Sequence, residues 1–297
     1  MTNPLLSIGL PVYNGGAALA SAIADLLGQD LADLELLIFD NASTDETVDI
    51  CRAASAGDAR VRYHRNERNV GAVANFRLAL KHATGRYFMW AAHDDRWSRG
   101  YARALVERLE AHPDAVLAAG RAEFPPAPGE RQTASLFFDA PRADVAPWIT
   151  LLRQHATHWM YGVFRTEEFK TLDEELWSHD PWGGDTAFLL ALAARGKVIG
   201  SDGALIVKVQ KPVDRPSPFR PRGLRAVLRS LRWFGGALFA ATRGAPLGVA
   251  ARARLRWEVL RLLEQQVVSA LWSSGALRPA RGLLAAARQR LARSRRG

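Results

Sequence analysis

Acidic side chains follow two short apolar runs in the first hundred residues, at the point where each run ends. Asp40 follows Leu34–Phe39, and Asp94 and Asp95 come shortly after Tyr87–Trp90. Carboxylates in such positions can accept hydrogen bonds from hydroxyl and N–H groups, and they are suitable ligands for a hard divalent cation. Because open α/β sheets bind ligands at the carboxyl ends of their strands, the sequence predicts a ligand site at this edge.

Several common nucleotide and metal motifs are absent from the sequence. It has no Gly-x-x-x-x-Gly-Lys phosphate loop and no Gly-x-Gly-x-x-Gly turn after the first apolar run. The hypotheses that the protein hydrolyses ATP or binds a dinucleotide therefore lose their main support. One Cys and seven scattered His residues give no pair with the spacing of zinc ligands.

Short apolar runs alternate with helical periodicity, which predicts a parallel sheet covered by helices. The predicted strands are Leu5–Leu10, Leu34–Phe39, Val61–His64, Tyr87–Trp90 and Met160–Phe164. The predicted helices are Ala17–Leu27, Ala72–Ala83, Thr186–Arg195 and a later stretch with Leu255, Val259, Leu262, Leu263 and Val267 at helical spacing. The segment 43–46 (STDE) has the form of a capping box, so Ser43 and Glu46 are predicted to satisfy backbone N–H groups at a helix start.

The composition is that of a globular protein, since 48% of the 297 residues are hydrophobic and 24% are charged. The single cysteine, Cys51, forms no disulfide within the chain and fits a reducing compartment. The first residues lack the pattern of a secretory signal, and no apolar stretch approaches the roughly 20 residues of a membrane-spanning helix. We therefore expect a cytoplasmic protein.

The charge is divided unevenly along the chain. Residues 215–297 contain 18 Arg, no Lys and two acidic residues, a formal charge of +16, whereas residues 1–214 contain 22 basic and 28 acidic residues, a charge of −6. Leu224–Leu238 has apolar residues on one helical face and Arg on another, which is typical of a helix on an anionic membrane surface. The alternative is that this apolar face packs on the body or on a second subunit. No recognised nucleic-acid-binding motif accompanies the charge, so nucleic acid is not an expected partner.

Four motifs occur in order at the ends of predicted strands. They are 7–14 (SIGLPVYN), 40–45 (DNASTD), 69–71 (NVG) before a helix that contains Asn75, and 94–95 (DD). Together they resemble the family 2 glycosyltransferases of GT-A fold, closely over residues 4–120 and more loosely over 158–215. The resemblance implies an α/β fold with a mostly parallel central sheet flanked by helices, here with a basic α-helical C-terminal extension. It implies a catalytic domain at 1–215, with a nucleotide-sugar-binding half at 1–120 and an acceptor-binding half at 121–215, followed by an Arg-rich helical region at 216–297.

The resemblance assigns the binding of the nucleotide sugar to eight residues at the predicted edge: Pro11, Val12, Tyr13, Asp40, Asn69, Gly71, Asn75 and Asp94. Asp40 would face the base, usually uracil, although an Asp beside Asn41 can also simply form a turn. The implied cation is Mn²⁺ or Mg²⁺, held by Asp95, with Asp94 as the second ligand and nearer the ribose. Ala92 stands where some members have the first acid of an Asp-x-Asp motif. Metal independence is therefore left open as an alternative.

On the acceptor side, 179–186 (HDPWGGDT) resembles the segment in which this family places its catalytic acid before a helix. Asp185 is the candidate base, and Asp180 is the second candidate. A carboxylate suits direct displacement, because deprotonation of the acceptor gives an inverted product without a covalent intermediate. Asp185 can also act as a helix N-cap, and the two roles can coexist. Trp182 and Trp97 are candidate acceptor contacts, with burial in the core as the alternative, whereas Trp159 is expected in the core.

The implied function is inverting transfer of a sugar from a nucleotide-diphosphate donor, with a UDP-sugar favoured, to a hydroxyl of a glycan or lipid-linked saccharide. Bacterial surface polysaccharide or cell-envelope assembly is the implied setting. The protein would be cytoplasmic, and peripheral on the inner face of the cell membrane where the basic region binds lipid. A non-catalytic nucleotide-sugar-binding or interaction module is the alternative. A sugar nucleotidyltransferase is disfavoured, because 11–16 (PVYNGG) lacks a Gly-rich loop with Arg and Lys.

Overall fold

A computed structural model of the chain describes residues 3–124, 133–134, 148–149, 157–176, 184–208, 224–244 and 247–273. In this part of the chain, nine strands form one sheet. They are β1 (Leu6–Val12), β2 (Leu34–Asp40), β3 (Val61–Arg65), β4 (Tyr87–Trp90), β5 (Arg96–Trp97), β6 (Ala115–Phe124), β7 (Thr133–Ala134), β8 (Val163–Arg165) and β9 (Lys197–Val207). All seven residues of β1 and of β2 are buried, as expected for strands of a parallel sheet that is covered on both faces.

Eight α-helices are described, with bounds α1 (Ala18–Leu27), α2 (Thr47–Gly57), α3 (Ala72–His82), α4 (Tyr101–Ala111), α5 (Thr166–Leu176), α6 (Gly184–Arg195), α7 (Leu224–Gly244) and α8 (Val249–Ser273). A 3₁₀ helix covers Thr157–Tyr161. It occupies the start of the predicted strand Met160–Phe164, so that prediction is wrong at its beginning, and the strand itself starts only at Val163.

The sheet has the order β3-β2-β1-β4-β8-β6-β9-β5, and β7 pairs with β6. The first four strands in this order are parallel to one another, whereas β8 is antiparallel to both β4 and β6. The chain moves outward from β1 to β2 and β3 and then returns to the other side of β1 with β4. This reversal places a topological switch point between β1 and β4, which is where open α/β sheets bind ligands.

Two hydrophobic clusters cover the two faces of the sheet. One contains buried residues of α1, α2 and α4 against Leu36 and Ile38, and the other contains residues of α3, α5 and α6 against Leu37 and Phe39. Alternate residues of β2 thus enter opposite clusters, as the period of a strand requires. The predicted α/β fold with a mostly parallel central sheet flanked by helices is confirmed.

The last two described helices extend the second cluster outward. Phe234 and Leu238 of α7 are buried together with Leu255, Val259 and Leu262 of α8. The apolar spacing in α8 therefore serves helix packing, as the periodicity predicts. Among the described helices, none is both long enough and apolar enough to cross a membrane.

Candidate functional site

The carboxyl ends of β1, β2 and β3 lie side by side. In the register of the sheet, Val12 is the partner of Asp40, and Asp40 is the partner of Arg65. Pro11 and Val12 are buried within β1, whereas Tyr13, the next residue, is 46% exposed. The loops after these strands therefore form one edge, and Tyr13 offers an accessible aromatic ring there.

Asp40 is fully buried, and its carboxylate is surrounded by donors. The N–H of Ser43 donates to Oδ1 at 2.8 Å, while the Tyr63 hydroxyl and Arg65 Nε donate to Oδ2 at 2.9 and 3.1 Å. Burial, followed by the hydrogen bond to Asp40, raises the pKa of Tyr63 and keeps its phenol protonated. We call Asp40, Ser43, Tyr63 and Arg65 the β2-end cluster. Asp40 thus forms the turn that the sequence allowed, and its contact with a base stays a prediction.

Four asparagines connect the ends of β2 and β3 with α3. Asn41 Nδ2 donates to Asn69 Oδ1 at 2.9 Å, and Asn66 Nδ2 donates to both Asn41 Oδ1 and Asn75 Oδ1, at 3.0 and 2.9 Å. Asn75 Nδ2 in turn donates to the Phe39 carbonyl at 2.7 Å. The predicted residues Asn69 and Asn75 are therefore brought together as part of the framework of the edge. Sequence reasoning assigned no side-chain bond to Asn41 and overlooked Asn66, although both follow strands directly.

Gly71 fixes the start of α3. Its backbone angles are φ 87° and ψ 158°, in a region that is essentially restricted to glycine, and it receives no side-chain cap. Its N–H donates to Asn69 Oδ1 at 2.9 Å, and its carbonyl accepts from the Asn75 N–H at 3.1 Å. Gly71 is exposed, so the backbone of this turn is accessible at the edge of the site.

The loop after β1 is held by the loop after β2. The N–H groups of Asn14, Gly15 and Gly16 donate to Ser43 Oγ, Thr47 Oγ1 and Asp45 Oδ2 at 2.9, 2.8 and 3.0 Å. The capping-box prediction is therefore wrong: α2 begins at Thr47, and Glu46 at its start makes no capping bond with its side chain. The hydroxyl of Ser43 accepts from the β1 loop instead of capping a helix.

The residues after β4 form a second polar group. Asp94 is half-buried, whereas Asp95 is only 1% exposed and forms an ion pair with the Nζ of Lys208, the residue that follows β9. The ammonium also lies 3.7 Å from the ring centroid of Tyr161. Burial alone would lower the pKa of Lys208, but Tyr161 and Asp95 outweigh it and the pKa is raised. Lys208 therefore stays charged against Asp95 at neutral pH.

His158 lies in the same 3₁₀ helix as Tyr161, where the charge of Lys208 acts on it, and it was not identified from the sequence. It is 6% exposed, and its Nε2 finds no hydrogen-bond partner among the described residues. Burial lowers the pKa of His158 to about 4, and the charge of Lys208 acts in the same direction. We call Asp95, His158, Tyr161 and Lys208 the β4-end cluster.

Asp185 is positioned by a different element. It lies in the first turn of α6, which begins one residue earlier at Gly184, and its Oδ1 accepts from the N–H of Thr186 at 2.8 Å. A carboxylate in this position stabilises the positive end of the helix dipole. Its role as a base stays a prediction. Asp180 and Trp182 lie outside the described residues.

Trp159 and Trp97 are both buried in the core. Trp159 is 2% exposed, which confirms its predicted place in the core. Trp97 is 5% exposed, and its ring packs edge-on against Tyr101 and Tyr161 with centroids 5.1 and 6.1 Å apart. This packing is the core role that the sequence left open for Trp97, and nothing in it presents the ring to an acceptor.

The two carboxylates after β4 suit a hard divalent cation that takes only one or two of its ligands from the protein. Within the described ranges, no group of three or more His, Cys, Asp or Glu residues could hold a metal ion. Asp94 and Asp95 are nevertheless adjacent carboxylates, and Mg²⁺ typically takes one or two protein carboxylates together with substrate phosphates and water. The two residues therefore fit a cation that is shared with a bound diphosphate, provided that Asp95 can exchange its contact with Lys208.

Comparison with known proteins matches part of the chain to one family and its members. Residues 7–175 match the family model described as Glycosyl transferase family 2. One relative is the UDP-Glc:alpha-D-GlcNAc-diphosphoundecaprenol beta-1,3-glucosyltransferase WfgD of Escherichia coli, which is 34% identical over 97 residues, 33% of this chain and 38% of WfgD. The chain aligns with less than half the length of such curated relatives.

Solved structures agree on the fold. The S. aureus TarS 1–349 complex with UDP-GlcNAc superposes with a TM-score of 0.66 at 16% identity, covering 86% of this chain and 72% of that one. The mannosyltransferase PcManGT of Pyrobaculum calidifontis, in complex with GDP-Man and Mn²⁺, gives a TM-score of 0.54 at 19% identity and covers 97% of this chain and 81% of its own. At these identities the likeness concerns the fold, but the family match spans more than half of the chain. The chain therefore belongs to glycosyl transferase family 2.

Proposed function

We propose that the protein is an inverting glycosyltransferase that moves a sugar from a nucleotide-diphosphate donor to a hydroxyl of a glycan or lipid-linked saccharide. The catalytic domain would span residues 1–215, and residues 216–297 would form the basic helical extension. The observation that carries the proposal is the placement of Asp94 and Asp95 after β4, beside the end of β1 at the switch point of the sheet.

The donor would lie along the carboxyl edge of β1–β4. Tyr13 would cover the base with its exposed ring, Asp40 would lie behind the base and ribose, and the turn at Gly71 would approach the nucleotide through its backbone. The asparagine framework would keep these loops in place while the nucleotide binds, because each of its amides is anchored to another loop or strand. Such preorganisation lowers the entropy cost of binding.

Asp94 and Asp95 would hold Mn²⁺ or Mg²⁺ at the diphosphate. The cation would supply positive charge that stabilises the leaving phosphate oxygen. Asp185 would accept the proton of the acceptor hydroxyl during attack on the anomeric carbon, and a single displacement inverts the configuration at that carbon. The charge of Lys208 beside Asp95 would add to the positive potential felt by the diphosphate.

A UDP-sugar is the favoured donor. TarS is seen in complex with UDP-GlcNAc, and the name of WfgD gives UDP-Glc as its donor and a diphosphoundecaprenol-linked GlcNAc as its acceptor. By analogy, we propose a lipid-linked or polymeric saccharide acceptor, a role in bacterial surface polysaccharide or cell-envelope assembly, and a position on the inner face of the cell membrane.

A donor panel tests the proposal. The full chain is mixed with UDP-, GDP- and dTDP-sugars in the presence of Mn²⁺, Mg²⁺ or a chelator, and donor binding is followed by thermal shift and sugar release by product analysis. We expect stabilisation and slow hydrolysis with one nucleotide family, both weakened by chelation. Binding without hydrolysis or transfer under any condition would instead assign a non-catalytic binding module.

The base is tested by Asp185→Asn. Asn accepts the hydrogen bond of a helix start as well as Asp does but is not a comparable base, so we expect kcat to fall about 10²–10⁴-fold with little change in donor affinity. Glu167→Gln is the matched control, because Glu167 is an exposed acid in the first turn of α5. Near-normal kcat in the Asp185 variant would contradict its role as the base.

A further inference from the structure

Helix α8 carries a second apolar surface that faces away from the body. Its inner face is used for packing, through Leu255, Val259 and Leu262. On the other side, Val249 is 90% exposed, Trp257 is 64% exposed and Leu260 is 49% exposed. Among the described residues, the other large hydrophobic side chains that are exposed are Leu228 on α7 and the site-edge residues Tyr13 and Val70. Exposed hydrophobic surface is therefore concentrated on the two C-terminal helices.

The exposed residues of α8 form a continuous strip. At roughly 100° per residue, Val249, Leu260 and Trp257 fall within an arc of about 80°. The small exposed residues Ala250 and Ala253 lie in or beside the same arc. We call Val249, Ala250, Ala253, Trp257 and Leu260 the outer strip. Its width is that of the apolar side of an amphipathic helix.

Arginines border the outer strip on both sides. Arg256 lies along one edge, and Arg254 and Arg261 lie along the other, all with exposed side chains. Arg261 also pairs with the buried Glu258 at 3.7 Å, while its own side chain keeps 49% of its surface exposed. Glu264 is the one exposed acid in the part of α8 whose side chains are described, and α7 adds exposed Arg225, Arg229 and Arg232. Glu264 falls in the same arc one turn beyond Leu260, so the surface is apolar in its centre from Val249 to Leu260 and cationic at its edges there.

We propose that the outer strip of α8 binds the surface of an anionic lipid bilayer. A helix in a membrane interface places apolar and Trp side chains among the upper acyl chains and its Arg side chains at the headgroups, and the order of residues across α8 matches this requirement. A second copy of the chain would bring two rows of Arg against each other. Nucleic acid would accept the charge but leave Val249 and Leu260 in water.

This surface differs from the apolar face of Leu224–Leu238, for which the sequence allows either a membrane surface or packing on the body or a second subunit. The described side chains of that segment are partly packed and partly exposed: Phe234 and Leu238 are buried, while Leu228 is 55% exposed. The outer strip was hidden in the sequence by the stronger periodicity of the inner face of α8. The inference extends the membrane position proposed above, but lipid binding is measured without donor or acceptor and can fail while transfer activity stands.

Vesicle flotation of the full chain tests the proposal. The vesicles contain phosphatidylcholine alone or phosphatidylcholine with one third phosphatidylglycerol, at moderate salt. We expect the wild type to float with the anionic vesicles and not with the neutral ones. Trp257→Ser combined with Leu260→Ser should weaken the partition coefficient at least about tenfold, since two apolar side chains lose their contact with lipid. Arg256→Gln should weaken it about fivefold.

The controls separate this surface from general charge attraction and from misfolding. Arg52→Gln removes an exposed charge from α2, on the opposite face of the sheet, and should change the partition coefficient by less than about twofold. Thermal unfolding should be unchanged in every variant, because only exposed side chains are altered. Binding that survives the Trp257 and Leu260 changes would overturn the proposal, as would failure of the wild type to bind. A wild-type dimer that dissociates in the double variant would assign the strip to a second copy and overturn it equally.

Discussion

The β2-end and β4-end clusters each bury a carboxylate beside a cation, but they are assembled in different ways. Asp40 and its partners lie within 25 residues of one another along the chain, and Asp40 has a backbone donor and a hydroxyl in addition to Arg65. Asp95 and Lys208 are 113 residues apart along the chain. The first cluster is therefore a local turn with a cation at its rim, and the second depends on the docking of β9.

The cations of the two clusters, Arg65 and Lys208, also differ in their exposure to solvent. The side chain of Arg65 is 43% exposed, whereas that of Lys208 is 19% exposed. An ion pair that is shielded from water has a stronger Coulomb interaction but leaves a larger penalty when one partner is removed. Asp40 therefore has two neutral donors besides a partly exposed cation, whereas the Asp95 carboxylate contacts a cation that is largely shielded from water.

Removal of the buried cation should have the largest effect. Lys208→Met leaves the Asp95 carboxylate buried without its cation, so we expect the free energy of unfolding to fall by about 3–5 kcal/mol. Urea denaturation at pH 7.5 measures the change. Asp95→Asn added to Lys208→Met should recover most of the loss, because both charges are then absent. A double variant as unstable as the single one would show that Lys208 contributes through packing.

Acid should destabilise the β4-end cluster through His158. Its pKa of about 4 in the folded protein lies below the ordinary value near 6.5, so the folded state favours the neutral ring. Above pH 6.5 the ring is neutral in both the folded and the unfolded state, and the histidine costs no stability. As the pH falls towards 4, the unfolded chain binds a proton that the folded protein does not, and the free energy of unfolding falls by about 3 kcal/mol. His158→Phe should therefore lose about 3 kcal/mol less than the wild type between pH 7 and pH 4, by urea denaturation at each pH.

The carboxylates with lowered pKa, such as Asp25 and Glu35, destabilise both proteins in acid. The difference between the wild type and the His158 variant therefore isolates the histidine. Equal losses of stability in the two proteins would mean that His158 binds a proton in the folded state as easily as in the unfolded chain.

Catalysis should depend on the β4-end cluster even when stability is restored. In the Asp95→Asn, Lys208→Met double variant we expect transfer or donor hydrolysis to fall at least about 100-fold, or about 2.7 kcal/mol in activation free energy. Asp58→Asn with Arg60→Met removes a charge pair of the turn before β3 and is the matched control, which should retain activity. Full activity in the Asp95 and Lys208 variant would separate this cluster from the chemistry.

The fold was predictable where the signal is local. Tyr87–Trp90 was predicted with the observed bounds, and Leu34–Phe39 differs from β2 by one residue, because apolar runs between turn residues mark buried parallel strands. Ser43 was misassigned because its hydroxyl accepts from Asn14, 29 residues earlier, and not from its own helix start. The Asp95–Lys208 pair has no local signal, since nothing near Lys208 in the sequence indicates which strand end it meets.

Removal of the exposed cation, Arg65, should have the smallest effect on the free energy of unfolding. In Arg65→Met, Asp40 keeps the Ser43 N–H and the Tyr63 hydroxyl, and the lost ion pair is screened by water, so we expect a cost of about 1 kcal/mol or less in urea denaturation. Arg62→Met is the control, because Arg62 is similarly exposed, lies on the same strand and pairs with Glu35 at 2.9 Å. Similar small losses of stability in both variants would show that the arginines of β3 contribute only as partly exposed charges. A loss of stability near that of Lys208→Met would mean that Asp40 also depends on its cation. The distinction between a β2 end built from nearby residues and a β4 end that needs the distant Lys208 would then be wrong.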